Sequence, residues 1–464
     1  MILSRRSFLI GGSAAALASG CRGPRFIGSG DLRLGVISDI HIREPETAET
    51  TERAFRFYRS RGVDAVLIAG DLSDWGLLSG FRILKETWDR VFAGTGVVPL
   101  FITGNHDFDG WHYGDMTMEM HALGYDESEA AIKLGMRRCW EETFGEHWAP
   151  VRLRTVRGFD FVSCEWGADG EFVEWMKANG GRFRGGKPFF FFRHSPLKGT
   201  VCGRSAGDDA VRAVLEGYPN CIALTGHIHY PFNDDRAIWQ GAFTAISVPS
   251  LSYSTAPEGH ENGYDDRTGK SKLTMPLMTV RRDLRGDQGY LIEVRGDEVN
   301  VERYDFDEME DGASDWSFST ARDAARPYAP EVRAREMPAP VFPAGAKLKV
   351  TTTNTDNRAG HWTIALDCRF PSAKVAGSRV FDYEIRAVPK DGSEPLVKRF
   401  LSPAFALMEK FEPEVQRFWF DVAELPQDKE YVLEVYARNC FGRASSPLVS
   451  AVRRGKPGLG KAVR

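Results

Sequence analysis

The chain has 464 residues, more than a single hydrophobic core comfortably organises, and a soft scale of roughly 150 residues per domain points to two or three folding units. With 42% hydrophobic and 27% charged residues, it is neither collagen-like, coiled-coil nor wholly disordered. A formal net charge of −4 excludes a surface built to coat a polyanion, so no nucleic-acid polymer is expected as a partner and any phosphate must be attracted locally.

The N-terminal segment reads as an address rather than as structure. Ser4-Arg5-Arg6-Ser7-Phe8-Leu9, followed by an apolar run of small residues through position 18, resembles the twin-arginine signal, which implies export. The run is too short for a spanning helix of about 20 residues. It ends at Ala18-Ser19-Gly20-Cys21, which resembles a bacterial lipoprotein cleavage site. That likeness implies lipidation of Cys21 and a periplasmic or cell-surface protein held to the membrane by a lipid anchor alone. Simple cleavage nearby is the alternative, because Ala18 stands where a leucine is usual. The later cysteines (Cys139, Cys164, Cys202, Cys221, Cys368 and Cys440) form no Cys-x-x-Cys pair and are not expected to hold metal. Disulfides and scattered buried thiols both fit their spacing.

From residue 33 to 103, short apolar runs alternate with amphipathic ones: LRLGVIS, a helical TAETTERAFRFYRSRG, DAVLIAGD, a helical FRILKETWDRVF, and VVPLFITG. These read as βαβ units with strands buried on both faces. The pattern resumes with FDFVSCEW, a helical EFVEWMKA, KPFFFFRH, a helical DDAVRAVLEGY, and CIALTGH. Between the halves lies a long insertion, residues 108–149, with one helix expected around 129–144. The hairpin YLIEVRGDEVNVERYDF, turning at Gly296-Asp297, is expected to close the first domain (31–306). Residues 307–344 lack steady periodicity and read as a linker. Residues 345–455 show six short alternating strands, AKLKVTTT, WTIALDCRF, SRVFDYEIRAVP, VQRFWFDVA, YVLEVYARN and PLVSAVRR, the pattern of an all-β sandwich. The segment from Tyr431 to Asn439, followed by Gly442, is similar to the penultimate strand of a fibronectin type III module, with Tyr431 as its corner tyrosine. Residues 456–464 read as a frayed tail.

The candidate chemistry sits in five elements: Asp39-Ile40-His41, Gly70-Asp71, Gly104-Asn105-His106-Asp107, His194, and Gly226-His227-Ile228-His229. Each follows an apolar strand, at the edge where open α/β sheets bind ligands. The steps Asp39 to Asp71, Asp71 to Asn105 and His194 to His227 each cover about 33 residues, one strand–helix–strand unit, so the motifs return to a common edge. Each motif is weak alone, but together they use five of the ten histidines in order. Asp39, His41, Asp71, Asn105, His194, His227 and His229 are too many donors for one ion with an open position and suit two divalent ions sharing a carboxylate. The lack of thiolate favours Mn, Fe or Zn.

In this order the motifs DIH, GD, GNHD, H and GHIH resemble the signature of the calcineurin-like metallophosphoesterase superfamily, over residues 32–305. The resemblance implies an α/β fold, an αββα sandwich with both metals at the strand edge. It implies that Asp39, His41 and His229 hold one metal, that Asn105, His194 and His227 hold the other, and that Asp71 bridges them. Two cations would neutralise the phosphoester and lower the pKa of a bridging water, whose hydroxide attacks in line. His106, beside Asn105 but not a ligand, is the expected general acid. Asp74, three residues after Asp71, stands where relatives place a carboxylate that orients this histidine; a turn cap is the alternative. Purple acid phosphatases carry a tyrosine ligand at this offset, so Asp74 argues against that branch.

The expected activity is that of a phosphodiesterase or nucleotide phosphohydrolase, because GDLSD and GNHD look most like the bacterial cyclic-nucleotide phosphodiesterase branch. Phosphomonoesterase and lipid-head-group hydrolase stay open as alternatives. So does a non-catalytic surface lipoprotein whose sandwich takes a glycan or protein partner. For a small-molecule phosphoester, Trp75, Phe108, Asp109, Trp111, His112 and Tyr113 are candidate pocket residues or packing for the insertion. Arg193 and Arg204 read by default as exposed side chains.

Overall fold

The computed structural model describes residues 31–201, 209–257, 259–262, 264–265, 270–271, 286–356, 362–405, 412–421, 424–425 and 429–453. The expected signal and Cys21, together with Cys202, Arg204 and the tail at 456–464, lie outside the described residues.

The first sheet is built on three parallel strands, β1 (Leu32–Ile37), β2 (Ala65–Ala69) and β3 (Val98–Ile102), linked by α1 (Glu49–Arg61) and α2 (Leu78–Phe92). The insertion then forms α3 (Asn105–Asp109), α4 (Gly114–Ala122), α5 (Ala131–Leu134) and α6 (Met136–Phe144). The second sheet follows: β4 (Val151–Val156), β5 (Phe159–Cys164), α7 (Asp169–Asn179), β6 (Phe189–Arg193), α8 (Asp209–Leu215), β7 (Cys221–Thr225), β8 (Ile238–Gln240) and β9 (Thr244–Ser247). Its order is β4-β5-β6-β7-β9-β8, parallel except at the two edges. After a two-residue pair, β10 (Tyr264–Asp265) and β11 (Lys270–Ser271), the chain returns to the first sheet as β12 (Gln288–Arg295), β13 (Glu298–Asp305) and β14 (Glu310–Ser319), giving the order β14-β13-β12-β1-β2-β3.

The two sheets pack face to face. Leu34, Val36, Leu67, Ile102, Phe161, Phe190, Leu224, Tyr290, Ile292 and Trp316 meet in the layer between them. Helices α1, α2 and α6 cover the outer face of the first sheet, and α7 and α8 that of the second. Strands such as β2 (AVLIA) and β6 (FFFFR) are apolar throughout because both faces are covered. The αββα expectation is met.

Three features depart from the sequence reading. Residues 307–344 are no linker. They contain β14, paired along its length with β13, and α9 (Pro330–Glu336). Its polar residues hid this strand, of which Trp316 and Phe318 are buried with the core. The helix expected around 129–144 is two, α5 and α6, because Gly135 breaks it at φ 99°, a conformation that side-chain-bearing residues avoid. Strand β4 was not anticipated either; Val151 to Arg154 are only partly buried at the sheet edge, with arginines at alternate positions 152 and 154.

The C-terminal unit contains β15 (Lys349–Asp356), β16 (Trp362–Pro371), β17 (Asp382–Pro389), β18 (Leu396–Leu401), β19 (Val415–Asp421), β20 (Glu430–Arg438) and β21 (Leu448–Arg453). They form sheets ordered β15-β16-β19 and β18-β17-β20-β21 around Cys368, Tyr383, Ile385, Phe400, Phe418 and Leu433. Strand β18 is additional to the six expected. This unit is joined to the first through buried contacts: the Asn262 amide exchanges two hydrogen bonds with the Leu401 backbone (3.0 and 2.7 Å), and His260 Nε2 lies 3.0 Å from Asp382 Oδ2. Phe381, Leu401 and Phe405 pack against Ala256 and Tyr230.

Because Trp316 fills space between the sheets, Trp316→Ala should lower unfolding stability by about 3–5 kcal/mol, read from urea denaturation. A change near zero would show that β14 does not contribute to the core.

Candidate metal centre

All seven donors lie where strands of the two sheets end. Asp39 and His41 follow β1, Asp71 follows β2, Asn105 opens α3 after β3, His194 follows β6, and His227 and His229 follow β7. Backbone hydrogen bonds lock neighbouring strand ends: Asp39 N–H to Gly70 O and His41 N–H to Asp71 O (both 3.0 Å), and Gly226 N–H to His194 O (2.8 Å). Asp39, His41, Asp71, His227 and His229 all adopt positive φ, between 46° and 75°. Each such residue costs about 1–3 kcal/mol and persists only where the surroundings over-determine it. The turns redirect side chains that would alternate across a strand so that they converge.

The convergence has two halves. In one, His229 Nε2 lies 2.9 Å from Asp39 Oδ1 and 3.4 Å from His41 Nε2. In the other, Asn105 Oδ1 lies 3.0 Å from His194 Nε2 and 2.9 Å from His227 Nδ1. Asp71 Oδ2 stands between them, 3.1 Å from His194 Nε2 and 3.6 Å from His41 Nε2. Asp39, His41, Asp71 and His229 each offer an atom close enough to share one ion.

In three of the four donor histidines the remaining ring nitrogen is tied down: His41 Nδ1 to Asp74 Oδ1 (2.8 Å), His194 Nδ1 to Ala69 O (2.7 Å), and His229 Nδ1 to Tyr253 O (2.9 Å). With Nδ1 donating, each Nε2 faces inward, where on losing any proton it would offer its lone pair to a metal. Two imidazole nitrogens facing each other at 3.4 Å, with no polar hydrogen to share, fit a cation between them. The Asn105 amide is fixed by its Nδ2–H, which donates to the Tyr113 hydroxyl at 2.9 Å, leaving the oxygen toward the histidines.

The electrostatics describe the same demand. Burial opposes charge on Asp39 and Asp71, yet for Asp39 the neighbouring His229 and His194, and for Asp71 the neighbouring His194 and His106, hold both well below the usual carboxylate range. Burial would also depress His194, but Asp71 and Asp39 raise it to about 9. The carboxylates thus hold a proton where a divalent ion would displace it. His227 falls to about 4 through burial and the neighbouring His194, and His41 is lowered by burial and His106; both are neutral donors.

His106 and Asp74 are brought together, with a difference from expectation. His106 Nδ1 lies 2.8 Å from the Asp74 carbonyl oxygen and 3.1 Å from Asp74 Oδ1, while the shortest contact of that carboxylate oxygen is His41. Asp74 therefore serves a donor of the cage and His106 together, and Arg43 Nε pairs with its other oxygen. Of the candidate pocket residues, Trp75 is buried beneath Arg43, Phe108 packs against the core under α1, α2 and α6, Trp111 packs within the insertion, and Asp109 and His112 are exposed; Tyr113 touches the cage. Arg193 is buried and paired with Asp169 at 2.8 Å rather than exposed.

The sequence reading missed Asp107, Arg43, Trp166 and Tyr253. Asp107 was visible in GNHD: its carboxylate accepts from the Leu72, Ser73 and Gly104 backbone N–H groups, clamping the Asp71 and Asn105 loops together. Burial and the nearby Asp71 raise it to about 7. Gly104 itself is required by space, since a Cβ there would collide with the Asp71 carboxylate. Gly104→Ala is therefore expected to lower the divalent-metal content of purified protein while leaving it folded. Wild-type metal content measured by elemental analysis would count against this placement.

Residues 32–231, somewhat under half of the chain, match the family model of the calcineurin-like phosphoesterases. No curated protein matches the sequence. Solved structures similar to it include an anchor protein of the inner membrane complex of Plasmodium (12% identity, 62% of this chain and 88% of that one, TM-score 0.37). A purple acid phosphatase from yellow lupin seeds (16%, 62% and 53%, TM-score 0.36) and an archaeal phosphodiesterase (10%, 62% and 99%, TM-score 0.26) are also similar. Likeness at this level bears on neither activity nor substrate. With the family match laid over the strand-end donors, residues 32–231 resemble a calcineurin-like phosphoesterase domain whose clustered side chains could hold metal, which supports a metal-dependent phosphoesterase.

Proposed function

We propose that the chain hydrolyses a small phosphodiester or nucleotide with two divalent ions, one held by Asp39, His41 and His229, the other by Asn105, His194 and His227, with Asp71 shared. The observation that carries this reading is the position of Asp71 Oδ2, within 3.6 Å of a histidine nitrogen from each half. When bound, such ions supply neutralisation of phosphate charge and acidification of water. The donor chemistry, imidazole, amide and carboxylate without thiolate, suits Mn, Fe or Zn.

The protein's own groups supply the rest. The His106 backbone N–H donates to Asp71 Oδ1 at 2.9 Å and holds the shared carboxylate in place. Burial disfavours charge on the His106 ring, but Asp71 and Asp74 raise it to about 9, so it carries a proton at neutral pH. With Nδ1–H directed to Asp74, the proton on Nε2 is the one His106 delivers to the leaving oxygen as its bond to phosphorus breaks and water forms the new one. Asp74 orients both His106 and His41, a positioning role.

Among the described residues, seven C-terminal strands in sheets of three and four support a fibronectin type III-like module. Export and lipidation at Cys21 belong to the same reading on sequence grounds alone.

Purified protein loaded with Mn should hydrolyse bis-p-nitrophenyl phosphate and lose activity on chelation; inactivity with every divalent metal and phosphoester tried would sink the enzyme reading. Asp71→Ala should lose metal, whereas His106→Ala should keep both ions and lose turnover by about 10²–10⁴-fold. Near-normal rates for His106→Ala on esters with poor leaving groups would remove it as the acid.

A further inference from the structure

Besides Tyr113, two aromatic side chains outside the donor motifs stand against the cage, one on each half. The Tyr253 ring centroid lies 4.2 Å from that of His229 and 5.4 Å from that of His41, and the residue is 44% exposed. The Trp166 ring lies 5.9 Å from both His194 and His227 and is half-buried. Trp166 follows β5 by two residues and Tyr253 follows β9 across a short loop, so both leave the strand edge that carries the donors. The bond that orients His229 comes from the Tyr253 backbone carbonyl, which any residue would provide, so that bond does not call for an aromatic ring.

A phosphoester seated at Asp71, between the halves, extends its substituents outward past them. A flat, polarisable group gains from stacking on such rings, whereas an alkyl chain does not gain in the same way. We propose that Trp166 and Tyr253 are specificity-determining residues that receive the planar base of a nucleotide-type phosphoester. This rests on the phosphoester reading above and narrows its substrate class.

The test is calorimetric titration of metal-loaded, full-length protein with AMP and with ribose 5-phosphate, which differ only in the base. Wild type should bind AMP about tenfold tighter, within the range that base–aromatic stacking provides. Trp166→Ala and Tyr253→Leu should each erase the preference while leaving ribose 5-phosphate affinity unchanged; Trp166→Phe and Tyr253→Phe should retain most of it. In steady state, the KM for a dinucleoside monophosphate should rise in the first pair with kcat held. Equal binding of the two ligands by wild type, or equal weakening of both in the variants, overturns the proposal. Loss in one variant alone removes the other ring from it. Binding is read without turnover, so absence of hydrolysis would strike the phosphoester reading and leave this result to be judged by itself.

Discussion

Asp39, Asp71, Asp74 and Asp107 are all buried at one strand edge, where unpaired carboxylates would be prohibitive. Each is compensated differently. Asp107 takes three backbone N–H groups, Asp74 takes Arg43 with two histidines, and Asp39 and Asp71 face imidazole nitrogens. The first two sets close locally and build the frame. The second leaves a concentration of negative charge that the protein alone balances by holding protons on His194 and His106. Divalent ions held there would complete that balance.

Much of this was written in the sequence because the donors sit at positions with local signatures. Apolar runs such as VLIAGD and FFFFRH announce strands, and the residue just beyond each end is placed by topology. The glycines of the GD and GN motifs speak of crowding in the same way: Gly104 stands where any side chain would strike Asp71. What local pattern cannot show is proximity between distant segments. Trp166 and Tyr253 neighbour the cage through the alignment of β5 and β9 with β6 and β7, and nothing in Glu165-Trp166-Gly167 or Ser252-Tyr253-Ser254 records it. Strand β14 was hidden for another reason: its apolar residues are few, and its place in the sheet comes from register with β13. Asp74 was legible as a partner of His106 and illegible as a partner of His41, since the second relation depends on the turn at positive φ.

The all-β unit is more than an appendage. Its contacts fall on residues 230–236 and 256–262, stretches that follow His229 and Tyr253 within a few residues. Ser378 Oγ donates to the Asp235 carboxylate, and Arg236 lies over Phe381. The loops carrying the last donor and one aromatic wall are therefore braced from both sides, by the second sheet and by the sandwich.

Strand β1 carries the first two donors and sits inside its sheet, with β2 on one side and β12 on the other. Leu32 pairs with Val294 and Val36 with Tyr290, partners separated by more than half of the chain. Closing a loop of that length is slow relative to local pairing, and partly assembled sheets expose unpaired edges. During synthesis, β1 to β3 can associate early, but one side of β1 stays open until residues beyond 294 have emerged. Topology thus places every donor, through His229, ahead of the last three strands of the first sheet in the chain, so metal bound before those strands pair would hold the open edge together.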